Sequence, residues 1–198
     1  ECSIELHFLP FDPRTHQLDE DEMNRLFAIT PPDYIFINHV SNVTGTIVPV
    51  EKIAKAGKDY DACVIVDGSQ SVGLLPIDLS RSDIDFLIFA GHKNLYASWG
   101  IGGFISNSKY PLKTVLSGGN GSDSLNLEMP TAIPAGFEFA SPNIIAIASL
   151  HASLIWLNHT SLDAIADHKE MLMQKLIDGL SSRGFALYLP SDRSFHTS

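Results

Sequence analysis

The sequence predicts an α/β fold built on a mostly parallel sheet, and three observations carry that expectation. Short β-rich apolar runs alternate with helical patterns, two of those runs are apolar almost throughout, and polar residues able to do chemistry gather at the ends of the runs. The elements follow in order. IELHFL, residues 4–9, reads as a first strand. DEDEMNRLFA, 19–28, places Met23, Leu26 and Phe27 on one helical face and crowds acids at its start, where the helix dipole favours them. YIFINHV (34–40) and ACVIVD (62–67) read as strands covered on both faces. Between them, VEKIAKAGKDY (50–60) is a helix with Val50, Ile53 and Ala54 on its inner side and Gly57 near its end. DFLIFAG (85–91) is the next strand, and SWGIGGFIS (98–106) a fifth, entered through glycines.

Beyond residue 115 the character changes. LSGGNGSDSLNLEMPTAIP, 116–134, is long, polar and Gly-rich, and a loop of that length in a compact domain is expected to reach a site or a partner subunit. SPNIIAIASLHASLIWL (141–157) is predicted to be a buried helix, with Ser141 as N-cap and Pro142 at its first position. SLDAIADHKEMLMQKLIDGLSSRG follows as an amphipathic helix with Leu162, Ile165, Ala166, Leu172 and Leu176 inward, and FALYLP (185–190) starts another strand. A domain boundary is expected near Asn158, dividing the chain into 1–158 and 159–198.

Composition narrows the function. The 198 residues are 44% hydrophobic and 18% charged, a globular profile with material for a core. A net charge of −10 argues against a surface that tracks phosphate backbones, which requires clustered Lys and Arg, so no nucleic-acid partner is expected. No apolar run reaches the roughly 20 residues of a membrane span, and no membrane partner is expected either. Of two cysteines, Cys2 and Cys63, the second lies in ACVIV, where a free thiol acts as a small hydrophobe, which suits a reducing cytoplasm. The chain opens on Glu1 directly into a strand-like run, which reads as a piece of something longer.

In open α/β sheets ligands sit outside the carboxyl ends of the strands, and Asn42, Asp67, Gln70, His92 and Lys93 all fall there. A carboxylate and a lysine at neighbouring strand tips are what pyridoxal 5'-phosphate needs. Its aldehyde forms a Schiff base with a lysine amine, and an acidic partner keeps the ring nitrogen protonated so that the ring can accept electrons. Lys93 and Asp67 are the candidates. Gln70 and Asn42 could face the ring hydroxyl.

NHVSNVTGTIVPVEKI, VDGSQSVG and FAGHKNLYASWGIGGF resemble consecutive motifs of the class V aminotransferase family, in particular its cysteine desulfurase and selenocysteine lyase branch. The resemblance runs from about Ile4 to Leu189. It implies a PLP-transferase (fold type I) large domain, of which 1–158 is the central part, and an α+β small domain beginning at 159. It implies that Lys93 holds the cofactor, that Asp67 pairs with the pyridine nitrogen, that Gln70 and Asn42 face the ring hydroxyl, and that His92 helps to bind the phosphate. The family lends a Gly-rich loop across a homodimer interface, here Gly118 to Ser122, which places Asn120 at the neighbour's phosphate. The substrate implied is a small amino acid, with cysteine desulfurase-like C–S or C–Se cleavage first, and transamination or another PLP lyase reaction as the alternative.

The chain departs from the family in places. Ala90 stands where a phosphate-binding Ser or Thr is usual, Gly136 where close relatives have arginine, and Ala140 and Ser141 where they have a Gly-Thr pair. A phosphate-binding turn and a ring-stacking residue N-terminal to the similarity, and a substrate-carboxylate arginine and nucleophilic cysteine C-terminal to it, are expected outside this sequence. A member that keeps fold and dimer without turnover is the rival reading, favoured by Ala90 and Gly136, whereas Asp67, Gln70 and Lys93 together favour an enzyme. Other chemistries have less support. GSQSVG has Gln70 where a nucleophile elbow needs serine, GIGG lacks dinucleotide-fingerprint spacing, and the eight histidines show no metal-ligand spacing.

Overall fold

The computed structural model describes residues 4–106, 110–119, 121, 126, 128–189 and 197. Its centre is a four-stranded sheet of order β1-β2-β3-β4, made of β1 (Tyr34–Asn38), β2 (Cys63–Asp67), β3 (Phe86–Ala90) and β4 (Gly102–Ser106). The pairs β1–β2 and β2–β3 are parallel and β3–β4 is antiparallel, so the expectation of a mostly parallel sheet holds. The helices are α1 (Glu20–Ile29), α2 (Val50–Lys58), α3 (Ile144–Thr160) and α4 (Leu162–Ser181), with a 3-10 turn at Ala135–Phe137.

Local chemistry explains where the helices begin. The Asp19 carboxylate accepts the Glu22 N–H and caps α1, whose first turn carries Glu20, Asp21 and Glu22 at the positive end of the dipole. At α3 the cap is Asn143, whose side-chain oxygen accepts the Ala146 N–H, in place of the expected Ser141. Asn caps as well as Ser does, and it stands two residues nearer the apolar run. Ser161 ends α3 and caps α4 through its hydroxyl, so the two helices meet without a linker.

One face of the sheet carries the main core. Met23 and Phe27 of α1, Ile53 and Ala54 of α2, and Ile35 and Val64 of the strands pack together, and each fully buried aliphatic side chain contributes about 1.5–3 kcal/mol. The other face is open at β1, where Tyr34 and Phe36 are exposed, so β1 is covered on one face and not on both as its apolar sequence suggested. Residues 4–9 form no strand. The alternation of Ile4, Leu6 and Phe8 finds no sheet edge to pair with, and all three side chains are exposed. Residues 185–189 likewise form no strand, and Pro190 lies outside the described residues.

The buried-helix expectation for α3 also fails in this chain. Ala146 and Leu157 are buried, while Ile144, Ile145, Ile155 and Trp156 are exposed. A helix apolar all round can turn only one stripe to a single neighbouring layer, and that stripe meets α4 and Leu95 in a second small cluster of Leu95, Leu157 and Ile165. In α4, Ile165 and Met173 are buried and Leu172 and Leu176 exposed, so the inner stripe is narrower than expected.

A buried carboxylate stitches β2 to the entry of β3. Asp85 Oδ2 accepts the Val64 N–H at 2.8 Å and the Lys58 ammonium at 2.6 Å, while the Asp85 N–H donates to the Val64 carbonyl. Asp85→Ala is expected to leave the Val64 amide unpaired in the interior and to lower stability by roughly 1–3 kcal/mol. Asp85→Asn keeps an acceptor and should recover part of that loss. Urea unfolding of both variants checks this, and equal losses would show that the Val64 bond contributes nothing.

Candidate functional site

Parallel register brings the candidate residues to one edge. Asn38 lies beside Asp67 and Asp67 beside Ile88, so β1 and β2 end level, β3 runs two residues further to Ala90, and all three release their loops on the same side. Beyond β1, residues 41–46 form a tight turn in which the Ser41 hydroxyl accepts the Val43 and Thr44 N–H groups and Gly45 N–H returns to the Ser41 carbonyl. Asn42 sits exposed on that turn.

Asp67 closes β2 with an exposed carboxylate. Its Oδ1 accepts the Ser69 N–H at 2.9 Å, which fixes the group and leaves Oδ2 available for a proton donor. Two close-wound turns follow, in which Ser71 and Val72 N–H donate to the Gly68 carbonyl and Leu74 and Leu75 N–H to that of Ser71. Gln70 lies half-buried in the first of them.

After β3 the chain folds back through a second compact turn. Lys93 N–H reaches the Ala90 carbonyl at 3.4 Å, Tyr96 N–H that of Lys93, and Ala97 N–H that of Gly91. The Lys93 side chain is half-buried. The imidazole of His92 stacks on the Trp99 indole, with ring centres 4.3 Å apart and planes 14° from parallel, which fixes its plane. Trp99 itself is 80% exposed, so it forms an open wall beside His92.

The two turns are joined at the backbone. Gly73 has φ of +89°, and a Cβ there would overlap the Asn94 carbonyl oxygen, so glycine is required both for the conformation and for the close approach. Asn94 adds a side-chain bond, its Nδ2 donating to the Gln70 carbonyl at 2.5 Å, and its Oδ1 accepts the Lys169 ammonium of α4 at 3.0 Å. Burial pushes the Lys169 amine below its usual range.

Both the sequence and the fold are similar to those of known proteins. A family model for class-V aminotransferases matches residues 1–196. The chain belongs to that family. A cysteine desulfurase of Shigella sonnei (strain Ss046) is 34% identical over 96% of this chain and 47% of its own length, and one of Escherichia coli (strain SE11) is 33% identical over the same shares. The apo structure of a cysteine desulfurase from Thermococcus onnurineus NA1 is similar with a TM-score of 0.87 and 27% identity, over 98% of this chain and 48% of that one. The chain therefore spans about half the length of the relatives it matches.

Within this class-V chain, Asp67 ends β2 and Ala90 ends β3, Gln70, His92 and Lys93 stand on the turns that follow, and Asn42 occupies the turn after β1. Asn120 and Ser122 lie outside the described residues. Gly136, one of the departures from the resemblance, is buried, and a Cβ there would overlap the Pro130 carbonyl oxygen, so a side chain would require that backbone to move. Sequence reasoning missed Asn94, Trp99 and Lys169. Asn94 adjoins Lys93 and was there to be noticed, whereas Lys169 stands 75 residues away with no local signal.

Also missed was His39, inside the quoted NHVSN. Its N–H donates to the Asp67 carbonyl at 3.0 Å and its carbonyl accepts from Val48 N–H, so its backbone ties the Asp67 strand end to the Asn42 turn. His39 is 7% exposed, its Nδ1 has no hydrogen-bond partner among the described residues, and burial lowers its pKa below 6.5. In the unfolded chain His39 takes up a proton near pH 6.5, while in the fold it resists protonation. Its contribution to stability is therefore present above that pH and lost as pH falls toward the lower folded value. Between pH 7.5 and 5.5, wild type should lose more stability than His39→Gln, by up to about 1.4 kcal/mol per pH unit in the titrating range. Urea unfolding at both pH values checks this, and parallel losses would contradict it.

Proposed function

We propose that the whole protein is a pyridoxal 5'-phosphate-dependent enzyme acting on a small amino acid, with cysteine desulfurase-like C–S or C–Se cleavage as its reaction. The observation that carries this reading is the placement of an exposed aspartate whose carboxylate is held by a backbone N–H, Asp67, and a half-buried lysine, Lys93, at adjoining strand ends whose turns are bonded to each other through Asn94. The donor set fits the cofactor, with one acid for a ring nitrogen and one amine for an aldehyde. When bound, the cofactor supplies that aldehyde and an electron-accepting ring. Asp67 Oδ2 holds the ring-nitrogen proton while Oδ1 stays on the Ser69 N–H. Gln70 and Asn42 serve the ring hydroxyl, and His92, its plane set by Trp99, meets the phosphate. Ala90 offers no hydroxyl there, and Asn120 of the partner's loop contributes at the same phosphate in a homodimer. Residues 1–158 belong to the cofactor-binding domain and 159–198 open the small domain.

Cysteine as substrate is supported by the names of the Shigella sonnei and Escherichia coli relatives, each about twice the length of this chain. Transamination or another lyase reaction uses the same Asp67 and Lys93. A family member without turnover is favoured by Ala90 and by Gly136, where a side chain would require the Pro130 backbone to move. A cytoplasmic setting agrees with the free thiol of Cys63, which burial pushes above its usual pKa and keeps unreactive.

Borohydride reduction of the whole protein with its cofactor, followed by peptide mass spectrometry, is expected to place the pyridoxyl adduct on Lys93 within AGHKNLY. An adduct on Lys113 or another lysine would overturn the assignment. Asp67→Asn should leave apo melting nearly unchanged and reduce turnover by roughly 100-fold, about 2.7 kcal/mol. Normal turnover in that variant would remove Asp67 from the site.

Cofactor affinity tests the phosphate end separately. Ala90→Ser is expected to tighten binding by up to about tenfold, roughly 1.4 kcal/mol, because it adds a hydroxyl donor to a dianion. Equilibrium titration measures this, and unchanged or weaker binding would mean that another group already serves that oxygen.

A further inference from the structure

We infer that Asn94 is a positioning residue that sets Lys93 against Asp67, and that Lys169 of α4 holds Asn94 in the orientation this requires. The inference rests on Lys93 being the point of cofactor attachment. Asn94 is the next residue along the chain, so any displacement of its backbone moves Lys93 with it. Its amide has a fixed sense. A Lys ammonium only donates and a main-chain carbonyl only accepts, so Oδ1 must face Lys169 and Nδ2 must face Gln70, as observed at 3.0 Å and 2.5 Å. Flipping the amide would break both bonds.

Three parts of the fold meet at this one side chain. Gln70 belongs to the turn that follows Asp67, Asn94 to the turn that carries Lys93, and Lys169 to α4. The close approach at Gly73 and the packing of Val72 on the Leu95 cluster bring the two turns together through steric and apolar contact, which has no direction of its own. The hydrogen bond from Asn94 supplies that direction. On one side of Lys169 lies a half-open cleft of about 220 Å³, lined by Leu74, Leu75 and Met173 and by the acids Asp167 and Glu170. On the other side Leu95 packs with Leu157 and Ile165, so α4 is held to the Lys93 turn by a small apolar cluster and by this polar bond. A shift of α4 is thereby transmitted to the turn that bears the lysine.

The test uses the whole protein, stripped of cofactor and then given pyridoxal 5'-phosphate. Readouts are the rate at which the absorbance of the lysine-bound cofactor appears, the pH at which that chromophore titrates, and the melting temperature of the apo form. Asn94→Ala is expected to slow attachment by about tenfold and to move the titration, with apo melting lowered by only a few degrees. Asn94→Asp keeps the acceptor for Lys169 and loses the donor to Gln70, so it should match Asn94→Ala in attachment rate. Lys169→Met should show a smaller effect in the same direction, and the Asn94→Ala/Lys169→Met double variant should be no slower than Asn94→Ala alone, since both act through one side chain. Unchanged attachment and titration in Asn94→Asp, or additive losses in the double variant, would overturn the relay. Borohydride mapping of the wild type separates the two levels. An adduct away from Lys93 overturns the site assignment and the relay together, whereas an adduct on Lys93 with unaffected Asn94 variants overturns the relay alone.

Discussion

The parallel register of β2 between β1 and β3 is the constraint on which the candidate site depends. Side chains alternate along a strand, so a slip of one residue would carry Val64 and Val66 out of the core and turn the Asp67 side chain to the opposite face. Burial of Val64 and Val66 against Ile35, Ile37 and α2 makes that slip costly. Asp85 reinforces the choice with direction as well as area, since its carboxylate reaches the Val64 N–H only in the observed pairing. Core packing thus decides where a surface carboxylate stands.

Beyond the strand ends, polar contacts take over from apolar ones. The turns after β2 and β3 are short, wound back on their own carbonyls, and locked to each other by the Gly73 contact and the Asn94 amide. Such turns hold side chains with less freedom than open loops would, which matters where two groups on different turns must serve one ligand. His39 belongs to the same arrangement from below, spending its backbone bonds on Asp67 and Val48 and leaving a buried ring nitrogen without a partner among the described residues. A neutral imidazole tolerates that position more cheaply than a charged one, which explains the direction of its pKa.

Apolar surface remains open on two sides of the described chain. Tyr34 and Phe36 lie on the uncovered face of β1, and Ile144, Ile145 and Trp156 on the outer side of α3. Periodicity could not foresee this, because a helix or strand that is apolar all round reports that it is suited to burial and not which neighbour buries it. The first run, 4–9, shows the same limit. Its alternation is strand-like, yet a strand exists only where a partner edge presents hydrogen-bonding groups, and among the described residues none pairs with it.

The sequence by itself determined the order of elements from α1 to β3, the parallel sense of their pairing, and the positions of Asp67, Gln70, His92 and Lys93 at strand ends. Those features are local: apolar runs, dipole-matched acids and motif residues within a few positions of one another carry them. Tertiary structure alone decided that β4 runs antiparallel, that a Cβ at Gly136 would overlap the Pro130 carbonyl oxygen, and that Lys169 reaches Asn94 across 75 residues. Each of these depends on what lies opposite a residue in space, and the free energy of a hydrogen bond or a steric contact is fixed by a partner that no local pattern names.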